Sequence, residues 1–210
     1  MPKLNKPKYI VLHTAAHGNK TQNYDTTVKQ IDAWHRAKGW NGCGYHYVIR
    51  FNGSVEKGRD EKATGAHTRG LNQISIGICV SGHADYHNWT DAQVESVNEL
   101  VKSLMLRYNI SVDKIIGHNE AGLDNPGYKV NKSCPGHKVD MKAYRTSITA
   151  ILNTTPLTNE EWGKILYDAM SVLYKFTSSQ NLSNAAIKEL HDVRYSEPFN
   201  HLINQYKKTL

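Results

Sequence analysis

Residues 73–81 read QISIGICVS, a short run that is apolar at most positions and rich in β-branched residues. That is the pattern of a strand covered on both faces, and such a strand belongs in the interior of a sheet. The fold depends on whether neighbouring strands and covering helices exist to surround it.

They are present on both sides in sequence. Upstream, KYIVLH (8–13) is a second short, β-branched strand. DTTVKQIDAWHRAKG (25–39) places Val28, Ile31 and Trp34 at helical spacing, with Asp25 or Thr26 able to cap the helix and Gly39 able to end it. YHYVIRFNGSVEKGR (45–59) reads as two strands joined at Asn52-Gly53, a strong hairpin signal. Downstream, Thr90-Asp91 opens an amphipathic helix with Val94, Val97, Leu100, Val101 and Leu104 along one side. DKIIGH (113–118) is a short strand ending on a histidine, and DMKAYRTSITAIL (140–152) is helical in pattern. Strands interleaved with helices predict an α/β fold, a mixed central sheet flanked by helices.

After residue 154 the character changes. Thr158 and Glu161 form a capping box, followed by Trp162, Ile165, Leu166, Ala169, Met170 and Leu173 at helical spacing. Residues 1–154 are therefore expected to be the main domain and residues 155–210 a small helical appendage. Composition agrees with that division. The chain of 210 residues has a net charge of +7, and residues 155–210 carry six cations and six anions, so the excess lies in residues 1–154. A basic surface suits a polyanion, but the cations are scattered and no nucleic-acid-binding signature accompanies them, so nucleic acid is not the expected partner.

No apolar run approaches the roughly 20 residues of a membrane span. The N-terminus, MPKLNKPKYIVLHT, is basic and passes directly into a strand, so no signal peptide is expected. Three cysteines without an export signal argue against a disulfide framework. Cys79 reads as a buried strand residue, and Cys43, between two glycines, is ambiguous.

Cys134 is different. It lies in KVNKSCPGHK (129–138), where polar and turn-forming residues suit a coordinated or reactive thiolate rather than a packed one. His13 closes the first strand and His118 closes DKIIGH, and residues at strand ends often gather into sites. Two imidazoles and a thiolate can form a catalytic zinc set with one position left open. With eleven histidines in the chain, residue types alone do not single out this pair. A strand-end histidine is more often structural.

Five strings raise the odds: YIVLHTAA, CGYHYVIRFNGSVEKGRDEKATGAH, NQISIGICVSG, IIGHNE and KSCPG. In this order they resemble the zinc-dependent N-acetylmuramoyl-L-alanine amidases, in particular the phage endolysin branch, which is similar to the peptidoglycan-recognition proteins. The resemblance runs from about residue 8 to residue 152 and leaves the appendage outside.

It implies one catalytic Zn2+ on His13, His118 and Cys134, with Asp140 a distant second choice for the third ligand. It implies that Lys132, two residues before the cysteine, stabilises the oxyanion formed as water attacks an amide carbonyl. Tyr45 matches the family tyrosine beside the attacking water. Strand alternation would put Tyr45 and Tyr47 on one face and His46 on the other. His67, in TGAHTRG, matches a histidine on the rim of the family's groove, where it and Arg69 would meet substrate. Glu120, in GHNE, is placed to orient a ligand histidine. His17, His83, His87 and His137 have no matched role, and His137 is the one most easily mistaken for a ligand.

The implied reaction is hydrolysis of the amide between N-acetylmuramic acid and L-alanine in peptidoglycan. A monomeric enzyme is expected, made in a host cytoplasm and reaching the wall once the membrane is breached. Two other readings are a recognition module that binds wall fragments without cutting them, and an amidase that also restrains a polymerase. The first predicts binding without new chain ends, and the second predicts capture of a protein partner, with the C-terminal helices as one candidate surface.

Overall fold

The computed structural model describes Leu4, residues 6–122 and residues 132–154. The capping box at Thr158 and Glu161, and the helical appendage expected after it, lie outside the described residues.

The run around Ile76 forms β4 (Ser75–Val80), all six of its residues buried. The other strands are β1 (Tyr9–Thr14), β2 (Tyr47–Ile49), β3 (Val55–Lys57) and β5 (Ile115–Gly117). Their order across the sheet is β3-β2-β4-β1-β5, which puts β4 at the centre. β1 pairs parallel with β4 and β5, and β2 parallel with β4, while β2 and β3 run antiparallel. The sheet is therefore mixed, as expected. The hairpin turns at Gly53, whose φ of 82° is the left-handed conformation that glycine adopts without steric cost.

Alternation along the strands divides the core between two faces. Ile10, Leu12, Ile49, Ile76, Ile78 and Val80 pack with Val97, Val101 and Leu104 of α2 (Asp91–Tyr108) and Ile148 of α3 (Met141–Thr154). On the opposite face Val48 and Cys79 pack with Cys43 and with Ile31 of α1 (Val28–Ala37). Cys79 is fully buried, as its strand position predicts, and Cys43 proves to be buried too.

Three helix expectations are corrected. The cap of α1 is Thr27, in a reciprocal pair with Gln30, rather than Asp25 or Thr26. Asp25 is occupied elsewhere: its carboxylate accepts from Arg50 Nε at 2.9 Å, Arg50 Nη2 at 2.7 Å and the Phe51 N–H at 3.0 Å. Trp34 also leaves the core stripe, and His35 takes the buried place beside Ile31. In α2, Thr90 and Gln93 form the same kind of cap, and Val94 is exposed while Gln93 is buried. The Gln93 amide donates to the Ile49 and Ser81 carbonyls at 3.4 and 3.2 Å, so this polar side chain fastens α2 to the ends of β2 and β4.

Candidate metal centre and active site

β1 and β5 are parallel neighbours, so their C-terminal ends lie side by side. His13 is the penultimate residue of β1, and His118 follows directly on Gly117, the last residue of β5. The Asn119 N–H donates to the Cys134 carbonyl at 2.7 Å, which docks the cysteine loop on the turn after β5. The outcome is a cluster in which one ligand atom each of His13, His118 and Cys134 lies within 4.8 Å of the other two. The two imidazoles are 4.6 Å apart between centroids, and the Cys134 Sγ is 3.6 Å from His13 Nδ1. Residues 105 and 121 positions apart in sequence meet here.

Electrostatics suit a cation. Burial, helped by His67, His118 and Lys132 nearby, holds the His13 imidazole well below its usual range. Burial and the Lys132 charge lower His118 to about 4. Both rings are therefore neutral and have lone pairs to offer. Burial raises the Cys134 thiol to about 11, against the smaller lowering effects of the Thr14 backbone and Lys132. A sulfur in that position becomes a thiolate when a metal ion supplies the compensating charge. His118 Nε2 is buried without a hydrogen-bond partner among the described residues. An orphaned imidazole nitrogen beside a second imidazole and a thiol is a donor set that fits zinc.

One assignment of protons satisfies the surroundings of His13. Its Nδ1 faces Cys134, so Nε2 carries the hydrogen and donates to His67 Nδ1 at 3.0 Å. His67 then carries its hydrogen on Nε2, which points at Ser75 Oγ at 3.5 Å, and Ser75 donates in turn to the Leu71 carbonyl at 2.7 Å. Thr68 Oγ1 lies 3.0 Å from His67 Nδ1 and 3.3 Å from His13 Nε2, closing the group. His67, expected at a groove rim, is instead buried behind His13, where it orients that ring. Room for it comes from Gly77: a Cβ there would lie 2.5 Å from the His67 ring. A glycine inside a central strand is the sequence sign of such a close approach, and Thr68 was missed for want of a comparable sign.

Tyr45 lies against His13, with ring centroids 5.0 Å apart, and 6.3 Å from the His67 ring. Burial, followed by the nearby Cys79 and Cys134, pushes its phenol well above the usual range, so it is a hydrogen-bond donor. The expectation that Tyr45 and Tyr47 share a face is corrected. Tyr47 packs in the core beneath α2 and its hydroxyl donates to Glu61. The regular part of β2 begins at Tyr47, and before it the consecutive Gly58 and Arg59 N–H groups donate to the consecutive His46 and Tyr45 carbonyls, an irregular pairing that breaks the alternation between Tyr45 and Tyr47. Lys132 is exposed at the edge of the cluster, near enough for its charge to act on His13, His118 and Cys134.

The remaining candidates fall elsewhere. Among the described residues, Glu120 bonds no histidine. It accepts from the Gly117 N–H at 2.9 Å and from Arg145 at 2.7 and 2.9 Å, tying the turn after β5 to α3. Asp140, the second choice as ligand, caps α3 through the Lys142 and Ala143 N–H groups at 2.9 and 3.0 Å. Arg69 is exposed. The His137 ring lies 3.2 Å from Asp85 and takes no part in the cluster.

Comparison with known proteins identifies the family and the fold. A family model described as N-acetylmuramoyl-L-alanine amidase matches residues 3–137. The endolysin of Enterobacteria phage T3 is 37% identical over 113 residues, covering 51% of this chain and 75% of the endolysin. Among solved structures, the N-acetylmuramoyl-L-alanine amidase LysC from Clostridium intestinale superposes with a TM-score of 0.59 at 30% identity, covering 74% of this chain and 92% of LysC. Drosophila PGRP-LB shares the fold, with a TM-score of 0.55 at 20% identity over 74% of this chain and 85% of its own.

Proposed function

The chain belongs to the N-acetylmuramoyl-L-alanine amidase family, and from that premise we propose that it cleaves the amide between N-acetylmuramic acid and L-alanine in peptidoglycan, with zinc held by His13, His118 and Cys134. The observation that carries this reading is the convergence of those three side chains within 4.8 Å, two of them buried and neutral, beside Tyr45. A zinc ion held by His13, His118 and Cys134 would supply Lewis acidity toward the scissile carbonyl and would lower the pKa of water near neutral pH.

The chain's own residues do the rest. Tyr45, kept protonated by burial, donates to the carbonyl oxygen as it gains negative charge. Lys132, at the open edge, contributes a positive charge to the same oxygen. His67 holds His13 in the tautomer that turns Nδ1 towards Cys134. The likeness to phage endolysins supports a role in breaking down a bacterial wall from within an infected cell.

The test is digestion of purified peptidoglycan, with identification of the ends released. New free L-alanine amino groups that vanish with a chelator and return with zinc are expected. New reducing sugar ends would replace the amidase by a glycosidase. Binding without new ends of either kind would make this a recognition module.

A further inference from the structure

The loop that carries Cys134 is clamped from outside the ligand set. Asp85, in the segment between β4 and α2, accepts from Ser133 Oγ at 2.8 Å through one carboxylate oxygen and from the His137 N–H at 3.0 Å through the other. Ser133 immediately precedes Cys134 and His137 follows it by three residues, so a single side chain bridges both flanks of the cysteine. The His137 ring adds a contact to the same carboxylate at 3.2 Å, but it is exposed and contributes little. The backbone reinforces the clamp: the Lys138 N–H donates to the Ala84 carbonyl at 2.9 Å. Gly136 lies so close to Ala84 that a Cβ at 136 would be 2.4 Å from the Ala84 carbonyl carbon.

We propose that Asp85 is a positioning residue for the metal centre, fixing the Cys134 sulfur at the height of His13 and His118. Metal affinity depends on how little the ligands must reorganise, and a sulfur presented by an irregular loop is the least constrained of the three. β1 sets His13 through strand pairing and β5 ends at Gly117, directly before His118, whereas Cys134 has no strand to hold it. Asp85 supplies that constraint by tying the loop to the end of β4, the strand that pairs with β1 along His13. A carboxylate suits the position because both flanking partners are donors. An asparagine would offer one of them an amide nitrogen in place of an acceptor.

This inference rests on the zinc reading of the site. Zinc affinity is to be measured by competition with a chromophoric chelator on the full chain, for wild type, Asp85→Ala, Asp85→Asn, Ser133→Ala and the Asp85→Ala/Ser133→Ala double variant. Melting of each metal-free protein is followed in parallel. Asp85→Ala is expected to weaken zinc binding about tenfold or more. Asp85→Asn and Ser133→Ala should fall between it and wild type, and the double variant should be no weaker than Asp85→Ala. Metal-free melting should hold, and Asp85→Ala activity should return with excess zinc at unchanged KM. Affinity within twofold of wild type in Asp85→Ala, or loss of zinc only together with loss of the metal-free fold, overturns the positioning role. A wild-type chain that binds no zinc overturns the metal reading itself, and this inference with it.

Discussion

At the scale of single residues, the proposed function separates groups that would hold a metal from groups that would act on the substrate. Lys132 is exposed, so Lys132→Ala should keep its zinc yet lose about two to three orders of magnitude in kcat, read from initial rates alongside metal content. His67 has the opposite signature. It touches His13 and is walled off from solvent, so His67→Ala should weaken zinc binding by about 10–100-fold, with the rate recovering as zinc is added. A fall in kcat that excess zinc leaves untouched would return His67 to direct substrate contact. That Cys134 belongs to a site was legible because its polar, turn-rich setting is wrong for a packed thiol, and it clusters with His13 and His118. The burial of His67 was not, because its environment is made by His13, 54 residues away, and by a glycine in a third segment.

At the scale of elements, the strands were legible and the ties between them were not. Runs of β-branched residues and the Asn52-Gly53 turn are local signals, and each appeared where expected. Glu120 and Asp25 were read as a histidine's partner and a helix cap, since their nearest sequence neighbours invite those roles. Each is instead claimed by an arginine 25 residues away. Arg50 is the hub of one such tie. It forks onto Asp25 and bonds Glu56 at 2.7 Å, while the other Glu56 oxygen accepts the Val28 N–H at the start of α1 at 2.6 Å. Arg50→Met should cost about 2–3 kcal/mol in chemical denaturation, the scale of hydrogen bonds to charged groups. The pH dependence has a defined sign. Burial alone would raise the Asp25 carboxyl, but hydrogen bonds from Arg50 and the Phe51 N–H outweigh it and hold the group below its ordinary value. Its contribution is therefore complete above the unfolded carboxylate range near pH 4 and disappears as pH falls through the lower folded value. Asp25→Asn should flatten that acid limb, and an unchanged limb would remove the network as its cause.

At the scale of the whole molecule, β1 and its parallel neighbour β5, to one side of the buried central strand, end together, and the cluster of His13, His118 and Cys134 forms where they end. The order β3-β2-β4-β1-β5 cannot be read from periodicity, which gives strands but not their neighbours. Family resemblance supplied the grouping of His13, His118 and Cys134 that spacing left open among eleven histidines. All three proposed ligands, Tyr45 and Lys132 precede residue 155, so a chain ending at Thr154 should still bind zinc and cleave a soluble muramyl peptide, with product release as the readout. Loss of cleavage in a folded, zinc-bound fragment would give residues 155–210 a part in catalysis. The measurement that bears most directly on the account is zinc content and L-alanine release, taken together, for wild type and Cys134→Ser. One zinc per wild-type chain, with metal and cleavage lost together in the variant, is the predicted result. A Cys134→Ser protein that cleaves the amide without zinc would contradict it.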